Sequence, residues 1–212
     1  MAQDSITKIA YNTLQQGKSI AGLAHKEISS KLMNLLSPDE KLNDFNIDKD
    51  LLLDIQKSMG KLREEDWNDA ENNIYPLKLL FDEPWLRYLT QYPKLWLDMP
   101  NTWERRKKQK YNDLPKGIEK ENYPNYYLRN FHHQTDGYLS DFSASIYDLQ
   151  VEILFNGTAN PMRRRIIKPL KTGLINFNNR KSSSIKILDV ATGSGRTLSL
   201  IHISEPTRRK HI

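Results

Sequence analysis

From Ser5 to Leu36, apolar residues recur every three or four positions, at Ile6, Ile9, Leu14, Ile20, Leu23, Ala24, Ile28, Leu32 and Leu35. That period marks an amphipathic helix, with a break expected near Gly17 or Gly22 and a stop at Ser37-Pro38-Asp39. A second pattern opens at Asp48, whose carboxylate can cap a helix, and sets Leu51, Leu52, Ile55, Met59 and Leu62 on one side. It fades in the acidic, Asn-rich stretch from Glu64 to Asn73. Between Tyr75 and Pro115, Pro76, Pro84, Pro93, Pro100 and Pro115 cut the chain, while Phe81, Trp85, Tyr88, Tyr92, Trp96 and Trp103 add aromatic bulk. Short helices joined by proline turns, with the rings as their core, are expected there.

After a polar connector from Lys116 to Asn122, the residues Leu139, Phe142, Ile146, Leu149 and Ile153 mark one face of a helix running from Ser140 to Gly157. Thr158 can cap the next, with Pro161 in its first turn and Ile166, Ile167 and Leu170 turned inward. Lys171 to Ser184 is a polar surface loop. The period then changes: Ile185, Ile187, Leu188 and Val190 form a short β-branched run of the kind buried in a parallel sheet. Asp189 closes that strand, and Ala191-Thr192-Gly193-Ser194-Gly195 would bring backbone N–H groups close to a ligand before a helix starts.

Composition narrows the setting. The chain has 212 residues, 38% of them hydrophobic, and no cysteine. A thin core in one large domain or two small ones follows, without disulfides or a thiolate zinc site. Mean hydropathy is −0.70, no apolar run is long enough to span a membrane, and the start lacks the apolar stretch of a secretory signal. A soluble, cytoplasmic protein is expected. The net charge of +6 permits nucleic-acid binding. Yet the densest cluster, Arg105-Arg106-Lys107-Lys108 with Lys110, has Glu104 and Asp113 beside it, and Trp103 and Tyr111 only flank it, so a solvated helix face is the better account.

The D-x-A-T-G-S-G spacing resembles the first motif of class I S-adenosylmethionine-dependent methyltransferases, with Ala191 standing where the first glycine would be. A dinucleotide fingerprint fits less well, since it would want a small residue at Leu198. The blocks LLFDEPWLRYLTQYPKLWLDMP, YPNYYLRNFHHQTDGYLSD, YDLQVEILFNGTANPMRRR and ILDVATGSGRT together resemble a family of such methyltransferases from oxygenic phototrophs, over most of Tyr75 to Thr197. The resemblance implies a chain that is mainly α as given. A helical N-terminal region (1–115) and lid or linker helices (116–184) lead into the truncated start of a Rossmann-like α/β methyltransferase domain, its first strand and glycine loop (185–197). It implies S-adenosyl-L-methionine as cofactor, held at its methionine end by Asp189, Ala191, Thr192, Gly193, Ser194, Gly195 and Arg196; it does not supply the acceptor, for which a small molecule is expected.

Methyl transfer is an in-line displacement at a sulfonium, so the protein has to align a nucleophile and exclude water. In many enzymes of this class a lid precedes the glycine loop, which makes Tyr126 and Tyr127 candidates for cation–π contact with the sulfonium, and His132, His133 and Tyr138 candidates for proton transfer. Hydrogen bonds that tie the lid helices together are the better account of each taken singly. A metal site from His132, His133, Asp136 and Asp141 is set aside, because adjacent histidines point about 100° apart on a helix.

After Thr197 the chain changes character. LSLIHISEPTR, Leu198 to Arg208, resembles the in-frame translation of a transposase sequencing adapter, with Arg209 to His211 in the place of a barcode. Leu198 to Ile212 is accordingly expected to be foreign to the fold, to show no helical stripe, and to stand where further strands would follow, including one whose acid, about 20 residues on, holds the ribose. The polypeptide as written would then bind cofactor weakly or not at all, an unpaired apolar strand being an aggregation hazard. Two rival readings remain: a fragment of a nicotinamide-dependent Rossmann oxidoreductase, and a non-enzymatic helical binding module using the basic cluster.

Overall fold

The computed structural model describes residues 2–36, 48–130, 132–177, 180–181 and 184–204. It is mainly helical: α1 (Ala2–Leu36), α2 (Lys49–Glu71), α3 (Trp85–Lys107), α4 (Asp141–Leu154), α5 (Ala159–Arg164), α6 (Ile167–Ile175) and α7 (Arg196–Ser204), with short 3₁₀ turns at Leu77–Phe81 and Lys120–Asn122. Among the described residues there is no strand, and no helix is long and apolar enough to cross a membrane. The chain divides into two compact units that interleave along the sequence. One comprises Met1–Ala21, Ile47–Glu83 and Phe155–Ile212; the other comprises Gly22–Asn46 and Pro84–Leu154.

In the first unit, the core gathers Tyr11, Trp67, Ala70, Tyr75, Leu79, Leu80, Ile167 and Leu200. Here α1 is turned over relative to its apolar pattern: Ile6, Ile9 and Ile20 are exposed, while Tyr11 and Gln15 are fully buried. The reason lies in α2. Its second half, where the apolar pattern fades, stays helical through Glu71 and buries Asp66, Trp67, Asp69 and Ala70. A buried acid left without donors costs more than a few exposed isoleucines, and Tyr11 supplies both a donor and a large ring. The apolar residues at the start of α2, Leu51, Leu52 and Ile55, are exposed in turn. Asp48 does cap α2, its Oδ1 accepting from the Asp50 N–H at 3.3 Å. Ser37-Pro38-Asp39 lies outside the described residues, and no break occurs at Gly17 or Gly22. A mid-helix glycine costs only roughly 1 kcal/mol, which the buried Tyr11, Gln15, His25 and Met33 of the same helix outweigh.

The second unit packs Tyr88 and Leu95 of α3 against Ile146 and Leu149 of α4, with Ile153 alongside. Pro93 and Pro100 do not cut α3, which is one helix of 23 residues. Both prolines are exposed. The buried Tyr88, Gln91, Leu95 and Asp98 hold the packed face of α3 across both of them. α4 buries Ile146 and Leu149 and half-buries Ile153 as its pattern predicts, but Phe142 is exposed and the helix ends at Leu154; Ser140 Oγ caps it by accepting from the Ser143 N–H at 3.1 Å. In the first unit, Thr158 does not cap α5, because its hydroxyl donates to the Phe155 carbonyl at 2.7 Å. Of the three residues expected inward, Ile167 is buried, Leu170 is partly so and Ile166 is exposed.

The segment expected to be a strand has no regular structure from Ile185 to Asp189, and Ile187, Leu188 and Val190 are exposed. A strand exists through its ladder, and no second strand is present among the described residues to complete one. Instead Ile185 and Ile187 line an apolar groove of about 420 Å³ together with Pro169, Leu170, Leu174 and Phe177 of the α6 region. The stretch beyond Thr197 also departs from expectation. Its first residues complete α7, with Leu200 fully buried in the core and Ile201 packed against it. A helix needs only a start and one anchoring side chain, and the glycine loop and Leu200 provide them; residues 205–212 lie outside the described residues.

Candidate functional site

The loop that ends the apolar run turns on three left-handed residues, Ala191 (φ 61°), Gly193 (φ 59°) and Gly195 (φ 76°). Only glycine adopts that conformation freely, so Ala191 carries strain of about 1 kcal/mol. Internal bonds shape the turn: Thr192 Oγ1 donates to the Asp189 carbonyl at 3.1 Å, and the Gly195 N–H donates to the Thr192 carbonyl at 3.0 Å. α7 starts directly afterwards, with the Ser199 N–H donating to the Gly195 carbonyl at 3.0 Å. The first-turn amides of α7 therefore emerge from the loop. Asp189 is partly buried; its Oδ2 is shielded from solvent and accepts no hydrogen bond.

The loop's last residue is engaged elsewhere. Arg196 Nη2 donates to the Asp82 carbonyl at 2.5 Å and to Asp82 Oδ2 at 3.1 Å, and its Nε lies 3.4 Å from Asn160 Oδ1. Asn160 is fully buried, and its amide nitrogen donates to Glu83 Oε2 at 2.7 Å. Glu83 Oε1 accepts from Lys18 Nζ at 2.5 Å in an ion pair whose side chains are almost wholly buried. Gly157 permits this approach: at φ +83° it faces Lys18, and a Cβ there would overlap the lysine's own Cβ and main chain. Residues from four distant parts of the chain thus meet beside the glycine loop.

Deeper in the same unit lies a closed ionic centre. Arg164 and Asp66 are fully buried and pair through two bonds, Nε to Oδ1 at 2.8 Å and Nη2 to Oδ2 at 2.6 Å, while Arg164 Nη1 donates to the Leu79 carbonyl at 3.1 Å. Tyr11 donates to Asp66 Oδ2 at 2.6 Å and Tyr75 to Oδ1 at 2.7 Å. Burial, followed by the Asp66 charge, pushes both phenols well above their ordinary range. The Asp66 carboxylate holds the Arg164 guanidinium firmly protonated against the opposing effect of burial. Outside this centre, Asp69 takes Arg165 at 2.5 Å and Lys168 at 3.1 Å. The centre and the Lys18–Glu83–Asn160 chain escape a reading of apolar period. The traces they left were acids inside a helix, at Asp66 and Asp69, and the consecutive Arg163, Arg164 and Arg165.

The aromatic and histidine candidates belong to the second unit. Tyr126 and Tyr127 are both exposed, with ring centroids 4.5 Å apart. His132 lies 6.3 Å from Tyr138, and Tyr138 lies 5.8 Å from Tyr147. Burial, with Tyr147 as the second cause, raises the Tyr138 phenol. His133 is left-handed (φ 55°), stacks on Tyr111 at 5.0 Å, and has its Nδ1 shielded and unpaired. Its carbonyl accepts from Arg105 Nε at 3.0 Å, and Arg105 also bonds Thr135. Two members of the basic cluster are therefore occupied internally, since Lys108 pairs with Glu104. Among the described residues, no three His, Asp or Glu side chains gather as metal ligands would.

No family model, curated protein or solved structure matches the chain. The functional reading therefore rests on the residues themselves.

Proposed function

We propose that the chain carries the helical N-terminal region and the opening of the cofactor-binding domain of an S-adenosylmethionine-dependent methyltransferase acting on a small molecule. One observation carries the reading. In a loop of left-handed residues that leads straight into a helix N-terminus, Asp189 keeps a shielded oxygen that nothing in the protein uses. The fit to the cofactor is chemical. A shielded carboxylate oxygen suits an ammonium group, and a helix N-terminus suits a carboxylate, so the two ends of an amino-acid moiety find complementary partners within one loop.

The bound cofactor would supply the activated methyl group. What this chain's residues contribute is orientation: Asp189 and the N-terminus of α7 hold the amino-acid end, and the exposed Ile187, Leu188 and Val190 form the surface on which a sheet would be completed. Leu198 to Ile212 is read as adapter-derived sequence, and the chain as given is expected to bind S-adenosylmethionine weakly or not at all. The test is to read the gene past Thr197 on adapter-trimmed DNA and titrate the resulting longer chain with S-adenosylmethionine. Binding that is lost in Asp189→Ala is the expected result. A genomic copy that retains the same fifteen residues and continues without methyltransferase motifs would overturn the reading.

A further inference from the structure

We infer that Asp82, Glu83 and Asn160 are positioning residues of the 189–196 loop, acting on it through Arg196; what that loop serves rests on the methyltransferase reading, but the clamp itself does not. The loop needs an anchor. Three left-handed residues within five positions give it pivots, and two bonds of the turn itself, Thr192 to Asp189 and Gly195 to Thr192, are internal to it. Arg196 is both the loop's last residue and the first of α7, so a hold on its side chain sets where the first-turn amides point.

That hold is built in two stages. The guanidinium reaches the carbonyl and carboxylate of Asp82, a charge-assisted contact, and lies alongside the amide oxygen of Asn160. Asn160 can offer that oxygen in only one orientation. Its nitrogen is committed to Glu83 Oε2 at 2.7 Å, and its oxygen also accepts from Arg163 Nη1 at 3.0 Å. Reversing the amide would set N–H groups against two guanidinium groups and its oxygen against a carboxylate. Glu83, paired with Lys18, thus fixes the sense of the amide, and the amide presents an acceptor to Arg196. A buried ion pair is a poor source of net stability but a good one of unique geometry, and here that geometry ends at the loop.

Hydrogen exchange followed by mass spectrometry on the full chain, without ligand, tests the clamp. Asp82→Ala and Arg196→Lys remove a charge-assisted bond or the planar fork that spans Asp82 and Asn160. Each should speed exchange in peptides covering 192–199 by about tenfold, while peptides covering 64–75 stay within about twofold. Asp82→Asn, which keeps an acceptor oxygen, should recover part of the protection. Asn160→Asp, placing a second carboxylate against Glu83, should act in the same direction. Because Asn160 is fully buried and that variant could fail to fold, the Asp82 and Arg196 variants decide the matter. Unchanged loop exchange in both overturns the clamp, and so does equal acceleration of the loop and the 64–75 segment, which would reveal a general structural role. Absence of S-adenosylmethionine binding in the gene-extended chain, with the loop still loosened by these variants, would sink the methyltransferase reading alone.

Discussion

Two aspartates of the same unit are treated in opposite ways. Asp66 is fully buried and each of its oxygens is used twice, by Arg164 and Tyr75 on one side and by Arg164 and Tyr11 on the other. Asp189 is only partly buried, yet its Oδ2 is shielded and accepts nothing. An acid whose lone pairs are all answered from within is a piece of architecture, and a ligand could add nothing to it. A shielded acceptor left unanswered costs about 1–3 kcal/mol, and folds keep such costs where another requirement outweighs stability. Burial alone would have ranked Asp66 first as a functional residue. Counting partners reverses the order.

The largest effect should come from breaking the satisfied acid. Arg164→Met removes both bonds of the ion pair and leaves Asp66 buried with only two phenols, so it should cost about 3–5 kcal/mol, read as a lower urea midpoint. A midpoint within experimental error of the parent chain would mean that the centre is less closed than its geometry indicates.

Leu200 comes next, because it joins the two regions. Its side chain sits in the core with Tyr11, Trp67 and Tyr75, while its helix begins at the loop. Leu200→Ala should cost about 2–5 kcal/mol by transfer and cavity. In the same denaturation series, near-neutral behaviour would show that α7 is not held by this core and that its tail is a passenger.

A smaller effect, with a distinct signature, is expected from the phenols. Tyr11→Phe removes one donor from a charged acceptor and should cost about 1.5–3 kcal/mol at neutral pH. It should also change the alkaline limb of the stability curve. In the unfolded chain both tyrosines ionise near their ordinary value of 10.0, whereas in the fold they stay protonated. Above that pH the unfolded state has released protons that the folded state keeps, so stability is complete below pH 10 and falls as pH rises through it. Tyr11→Phe should shallow that fall. An unchanged alkaline slope would mean that burial and Asp66 do not hold Tyr11 protonated.

Local chemistry was legible in the sequence where the determinants are local. The Asp48 cap, the α4 face with Ile146 and Leu149, and the loop from Asp189 to a helix at Arg196 all depend on a few neighbouring residues. What escaped depends on distant ones. The face of α1 is chosen by Asp66, 55 positions from Tyr11, and Asp66 in turn by Arg164, 98 positions on. No period in either helix encodes that pairing, which outweighs the apolar stripe of Ile6, Ile9 and Ile20. The continuity of α3 escaped for a different reason. Proline's local cost is a prior that tertiary packing can outweigh, and the buried Tyr88, Gln91, Leu95 and Asp98 hold α3 along its length. The missing strand is a failure of company: Ile185 to Val190 has the right residues and no ladder partner among the described residues.

The smallest expected change is the most telling about the unanswered acid. Asp189→Ala deletes a carboxylate that contributes no side-chain hydrogen bond from Oδ2, while the Thr192 bond it leaves behind goes to the Asp189 main chain and survives. The urea midpoint should therefore stay within about 0.5 kcal/mol of the parent chain, or rise as the cost of the shielded oxygen is removed. Asp66→Ala, in the same assay, should collapse the fold by stripping Arg164 of its partner. If the two substitutions were equally damaging, Asp189 would have partners as essential as those of Asp66, and its free oxygen would lose its standing as a place kept for a ligand. If Asp189→Ala is neutral in the chain as given and abolishes S-adenosylmethionine binding in the gene-extended chain, the unanswered oxygen is functional, because a group that contributes nothing to the fold has been retained for what it binds.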